Sequence, residues 1–236
     1  MTNRNGWIDP NTYVSGDLNI DDSQEYNVEL RFVGANWTDE LKATVTQCAD
    51  FLSKVIVGDL PDATYLGRPV DDVTIDCSIK TMDGPGRELG RGTMGALRSS
   101  ALPISGKLVL DSADVERWRQ LGLLGNVVLH EMLHAIGFGH LWAPLGLVAN
   151  QWTSNPTFVG VYANAAHPSA SNIFVEGSGP AGTKLIHWRE SSYGNELMTG
   201  WIGSTNHLAY WTIASLRDLG YQVVAEEDYE PPAFLK

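Results

Sequence analysis

His130 and His134 stand four residues apart, with Glu131 next to the first. On a helix that spacing places both imidazoles on one face, close enough to bond a single ion, as tetrahedral zinc needs from two of its ligands. Glu131 would then lie beside the metal without binding it, where a carboxylate can act as general base toward a water. Val128, Leu129, Met132, Leu133 and Ile136 are apolar and can bury the rest of the helix. Polar side chains at 130, 131 and 134 in so apolar a segment are costly without a partner, and a metal supplies one. The bland alternative is a pair of satisfied core histidines beside an exposed glutamate.

Three downstream features extend the pattern. Gly137 would let the chain turn sharply out of the helix. His140 completes His-Glu-x-x-His-x-x-Gly-x-x-His, the metzincin signature, which expects a methionine turn later in the chain. Asn195-Glu196-Leu197-Met198-Thr199-Gly200 offers that turn, with Met198 as an apolar floor beneath the histidines.

The stretch His187-Trp188-Arg189-Glu190, followed by Glu196-Leu197-Met198, resembles the leishmanolysin-like metallopeptidases. In that family an insertion follows the zinc helix, and only then come the third histidine, a tryptophan and the methionine. Ile56 to Pro61, Leu102 to Gly106 and Ala214 to Tyr221 are also similar to short bacterial members, so the resemblance covers most of the chain from about Tyr26. Two histidines thus compete for the third ligand position. The general signature offers His140; the leishmanolysin-like spacing favours His187. His167 and His207 read as ordinary loop histidines.

The resemblance implies an α+β fold of metzincin type. Its N-terminal lobe, about 1–139, would hold a twisted mixed sheet, a backing helix and the zinc helix. Its smaller, irregular C-terminal lobe, about 140–236, would carry one helix, with the active-site cleft between the lobes of a single catalytic domain, 1–236. It further implies a zinc-dependent endopeptidase, secreted or at the cell surface, with Zn2+ held by His130, His134 and His187 and with Glu131 as the base. Peptide would lie extended along an edge strand, for which Leu89 to Leu97 is the candidate. Trp201, just after the methionine turn, is either a pocket wall or a structural residue.

Other readings share the same helix. A zinc-containing binding or adhesion module without catalysis has no use for Glu131. A zinc hydrolase of a non-peptide bond is a second alternative that the same residues allow. The zincin type with a glutamate as third ligand sits poorly with Gly137 and Met198.

The elements that must position these residues follow from periodicity. Tyr26 to Val33 alternates as a half-buried strand does. A helix capped by Thr38 or Asn36 runs to about Val57, with Leu41, Val45, Phe51 and Val55 on its core face. Val73 to Asp76 and Lys107 to Leu110 read as strands. The glycine-rich run from Gly84 to Gly95 reads as a loop or as an edge strand lying close to another backbone. Asp111 or Ser112 would cap a short helix through Arg117. The zinc helix spans Leu123 to Ile136 and stops at Gly137-Phe138-Gly139. Trp142 to Lys184 looks irregular, Leu208 to Leu219 helical, and the acidic tail from Glu226 exposed.

Bulk properties narrow the rest. The 236 residues, 43% hydrophobic and 19% charged, suit one sizeable domain. A net charge of −12 argues against nucleic-acid and anionic-membrane partners. No apolar run is as long as a membrane span. The first residues, Met1 to Trp7, lack the apolar core of a secretory signal. Cys48 and Cys77 are the only cysteines, either one bridge or two buried thiols.

Overall fold

The computed structural model describes residues 5–169, 172–180 and 182–235; Met1 to Arg4, within the stretch read as lacking a secretory signal's apolar core, Ala170, Ser171 and Ala181, within the segment read as irregular, and Lys236 lie outside them. The chain is α+β and divides into two compact units, Met1–Ile136 and Gly137–Lys236.

The first unit is built on a six-stranded mixed sheet. Its strands are β1 (Gly6–Asp9), β2 (Thr12–Val14), β3 (Val28–Val33), β6 (Val73–Lys80), β7 (Gly90–Met94) and β8 (Ser105–Asp111), in the order β1-β2-β3-β6-β8-β7. β3, β6 and β8 run parallel, and the flanking pairs are antiparallel. The β1–β2 hairpin was not anticipated from the sequence. A separate hairpin joins β4 (Ala63–Tyr65) to β5 (Arg68–Val70). β6 alternates little because both its faces are buried, as parallel strands require.

Helix α1 (Asp39–Val55) starts where expected: the Thr38 hydroxyl accepts from the Leu41 N–H, and Asp39 and Glu40 lie in the first turn. It ends two residues earlier than expected, because Ile56 is already extended. Its core face packs on β3 and on α3 (Leu124–Ala135). Val128, Leu129, Met132 and Leu133 of α3 are fully buried, each contributing about 1.5–3 kcal/mol of transfer free energy.

The glycine-rich run proves to be both loop and strand. β7 is the sheet's edge strand, and α3 lies against β7 and β8. A Cβ on Gly92 would stand 1.8 Å from the Glu131 carbonyl oxygen, and one on Gly106 would stand 3.1 Å from the Ala135 Cβ. Glycine is what allows the helix to lie this close to the sheet.

Helix α2 (Val115–Gln120) starts after Asp114, not at Asp111 or Ser112. The Asp111 carboxylate is engaged elsewhere, accepting from the N–H groups of Met82, Asp83, Gly84 and Ala113. Cys48 and Cys77 are buried free thiols, so neither bridges the other.

The second unit has little regular structure. It holds the short pair β9 (Val148–Ala149) and β10 (Thr157–Phe158), and helices α4 (Val161–Ala166), α5 (Glu190–Tyr193) and α6 (Tyr210–Leu219). The first three of these fall within the stretch read as irregular. Helix α6 closes on Gly220 at φ 115°, the left-handed C-cap the sequence announces. Its core is aromatic: Phe138, Trp142, Phe158 and Trp188 are buried, with Trp142 stacked on Trp188 at 4.4 Å between ring centres. The acidic tail is exposed at 226–228, but the Tyr229 hydroxyl ties it down by donating to the Leu208 carbonyl. Among the described residues, no helix is long and apolar enough to cross a membrane.

Candidate metal centre

In the first unit, α3 carries His130, Glu131 and His134 as the spacing required. The two imidazoles sit on one face with ring centres 4.8 Å apart, and their Nε2 atoms approach to 3.1 Å. Both histidines are buried, 6% and 3% exposed. Two ring nitrogens meeting in a buried place either share one proton or share one cation.

Glu131 points toward the edge strand. Its Oε2 accepts the Gly92 N–H at 2.6 Å. Burial pushes the carboxyl up to about 7, and the Gly92 hydrogen bond pulls in the opposite direction. The nearby Glu88 adds to the rise and Arg91 opposes it. A carboxyl poised there exchanges protons near neutral pH, which suits a general base. The sequence supplied no sign of this contact, because Gly92 and Glu131 are joined only by the packing of α3 on β7.

In the second unit, His187 is also buried, at 6% exposed. Its Nδ1 lies 3.0 Å from the Thr183 carbonyl oxygen. A carbonyl can only accept, so Nδ1 carries the proton and Nε2 keeps its lone pair. Metal-ligating histidines are commonly held in this tautomer.

The turn that follows His187 is fixed by hydrogen bonds. The Trp188 N–H donates to the Met198 carbonyl at 3.0 Å, which sets the histidine's backbone beside the methionine turn. Met198 is fully buried. The Glu196 carboxylate accepts from the Met198 N–H at 2.7 Å, the Thr212 hydroxyl at 2.6 Å and the Ala209 N–H at 3.3 Å. The Thr212 hydroxyl in turn accepts from the Trp188 indole N–H at 2.8 Å. One buried carboxylate thus ties the methionine turn to α6 and, through Thr212, to the residue after His187. Burial pushes the Glu196 carboxyl up to about 7 despite its three donors. Sequence reasoning placed Glu196 in the methionine turn but gave it no role, because its partners Thr212 and Ala209 lie 13 or more residues away.

Gly137 and Gly139 take positive φ of 112° and 73°. A Cβ on Gly139 would stand 2.2 Å from the Ile186 carbonyl oxygen, so this glycine lets the segment leading into His187 pass close to the turn.

Each of His130, His134 and His187 is buried and has ring nitrogens of the kind that bind a metal ion, the first two together on α3 and the third in the second unit. His140 is half-buried and lies in the turn after Gly139, where its N–H donates to the Phe138 carbonyl. His167 packs edge-on against Trp211 and Tyr193, and His207 is exposed. Trp201 is 73% exposed. Compared with known proteins, the chain matches no family model, and no curated protein is similar to it.

Proposed function

We propose that the chain is a zinc-dependent endopeptidase resembling the leishmanolysin-like metzincins, with His130, His134 and His187 as ligands and Glu131 as the base. The observation that carries this reading is the pair of buried Nε2 atoms 3.1 Å apart on α3, with Glu131 between their residues in sequence. Two nitrogens on one tetrahedral zinc at about 2.0–2.1 Å stand roughly 3.3 Å from each other, so the pair fits the ion. His187 is favoured over His140 by its burial, its tautomer and its place before the methionine turn.

Zinc, when bound, supplies Lewis acidity toward water and the substrate carbonyl. The protein does the rest. Glu131 takes the proton of the attacking water and delivers it to the leaving amine. The Gly92 N–H holds one carboxylate oxygen, so the other is directed to the proton in transit. β7, as an edge strand, offers backbone groups to an extended peptide, which supports the Leu89 to Leu97 assignment. The Glu196 network keeps the methionine turn and the His187 segment in one register.

The test separates metal from base. Glu131→Ala should retain zinc, read as metal content of the purified protein, while casein hydrolysis falls by roughly 10²–10⁴-fold. Unchanged hydrolysis would remove Glu131 from the reaction.

A further inference from the structure

The first unit holds a second concentration of ligand-type groups. Asp59, Asp71 and Asp72 each place a carboxylate oxygen within 4.8 Å of the other two. Asp59 precedes the β4–β5 hairpin and Asp71 and Asp72 follow it, so the three meet at its base. Asp72 is fully buried, and its two oxygens accept from the Asn27 and Leu60 N–H groups at 2.6 and 2.7 Å.

The remaining oxygens are what make this cluster unusual. Asp59 Oδ1 and Asp71 Oδ2 are buried and have no hydrogen-bond partner. Asn27, only 2% exposed, gives its amide N–H groups to Ser15, Glu25 and Asn5, yet its Oδ1 is buried with no partner either. Asn27 lines the same cavity as Asp71 and Asp72, together with Asp22 and Glu29. That cavity measures about 20 Å³, room for a single water-sized body. Asn27 and Asp71 thus bring partnerless buried oxygens to the lining of a small acidic cavity, with the Asp59 oxygen near Asp71, and a cation there would satisfy them.

Among the described residues, no Lys or Arg forms an ion pair with these three carboxylates. Arg98 is the nearby cation, but its N–H groups go to the backbone carbonyls of Pro61, Asp71 and Pro103. Its charge eases Asp59 only in part, and that carboxyl still lies above the usual range, raised chiefly by burial. Burial, followed by the neighbouring Asp62 and Asp59, pushes Asp71 up to about 7. Burial pushes Asp72 up to about 8, against its two N–H donors.

We propose that a calcium ion binds at the base of the β4–β5 hairpin, held by Asp59, Asp71 and Asp72 with the Asn27 Oδ1. All the donors are oxygens, which selects a hard cation and excludes the nitrogen-ligand chemistry of the histidine site. Ligands drawn from three loop segments give the irregular, adaptable shell that calcium accepts and magnesium does not. The ion pins the hairpin to the starts of β3 and β6, and this site is independent of the histidines and of any hydrolytic activity.

The experiment titrates calcium chloride into the zinc-replete full chain by calorimetry, paired with thermal melts in calcium and in EGTA. The expected result is saturable one-to-one binding, in the range of roughly 10⁻⁵–10⁻³ M, and a higher Tm in calcium. Asp71→Asn and Asp59→Asn should each bind at least about tenfold more weakly. Both should melt no lower than the parent in EGTA, because each removes a repelling charge. His134→Ala should bind calcium as the parent does. Absence of saturable binding up to about 10 mM, well above that range, overturns the proposal, as does parent-like affinity in both asparagine variants.

Discussion

The Gly92 N–H donates to Glu131 Oε2 at 2.6 Å, so the edge strand of the sheet holds the carboxylate that lies between the two α3 histidines in sequence. The contact is possible only because residue 92 has no side chain. Its φ lies outside the left-handed region, so the requirement is for space and not for backbone freedom. Gly92→Ala should therefore displace α3 from β7. The expected cost is about 1–3 kcal/mol or more, seen as a lower midpoint in denaturant with an unchanged slope. Arg91→Ala, at the exposed neighbouring position, should change stability by less than about 1 kcal/mol. Equal stabilities for the two variants would mean that the close approach has no energetic weight.

The third ligand separates the two histidines on which sequence patterns disagree. His187→Ala should lose zinc, and His140→Ala should keep it, measured as metal content after dialysis against a weak chelator. Removing one of three ligands should weaken zinc binding by well over the 10–100-fold typical of losing an outer partner. Metal loss in His140→Ala alone would assign the site to the general metzincin spacing instead.

Glu196 gives a pH prediction whose sign is fixed. Its carboxyl is raised by burial from an ordinary 4.5 to about 7 in the folded protein. A raised carboxyl favours folding fully below its unfolded value, and that advantage is lost as pH rises through 7. Glu196→Gln removes the titration while keeping the shape. The Tm of the variant relative to the parent should accordingly rise between pH 5 and 8. A difference that stays constant across that interval would show that Glu196 does not titrate there. At fixed pH the variant should also hold zinc less tightly, because a glutamine turns one of the two accepting oxygens into a donating NH2 that faces a donor of Met198, Ala209 or Thr212.

Much of this was legible in the sequence, for identifiable reasons. Local rules govern α3, the Thr38 cap and the Gly220 stop, and each was found where spacing and cap chemistry placed it. The helix α2 start was misplaced because neither Asp111 nor Asp114 caps the helix with its side chain: long-range contacts engage both, which cap chemistry alone does not reveal. Asp111 serves the Met82–Gly84 turn, while Asp114 accepts the Gly86 N–H. The β1–β2 hairpin was missed because strands of three and four residues carry little alternation, and their pairing with β3 is a long-range fact. The same limit hid the most informative contacts. Gly92 with Glu131, Glu196 with Thr212, and Asp59 with Asp71 and Asp72 are each separated by more than ten residues. No periodicity links such pairs; the fold alone brings them together.

The metal-dependence of peptide cleavage bears most directly on the proposed function. The purified chain should hydrolyse casein, lose that activity on treatment with a zinc chelator and recover it on adding back about one equivalent of zinc, as a site built from three histidines requires. Calcium added alone should not restore it. No cleavage by the zinc-loaded protein, or cleavage indifferent to the chelator, would overturn the assignment of His130, Glu131, His134 and His187 to a peptidase centre.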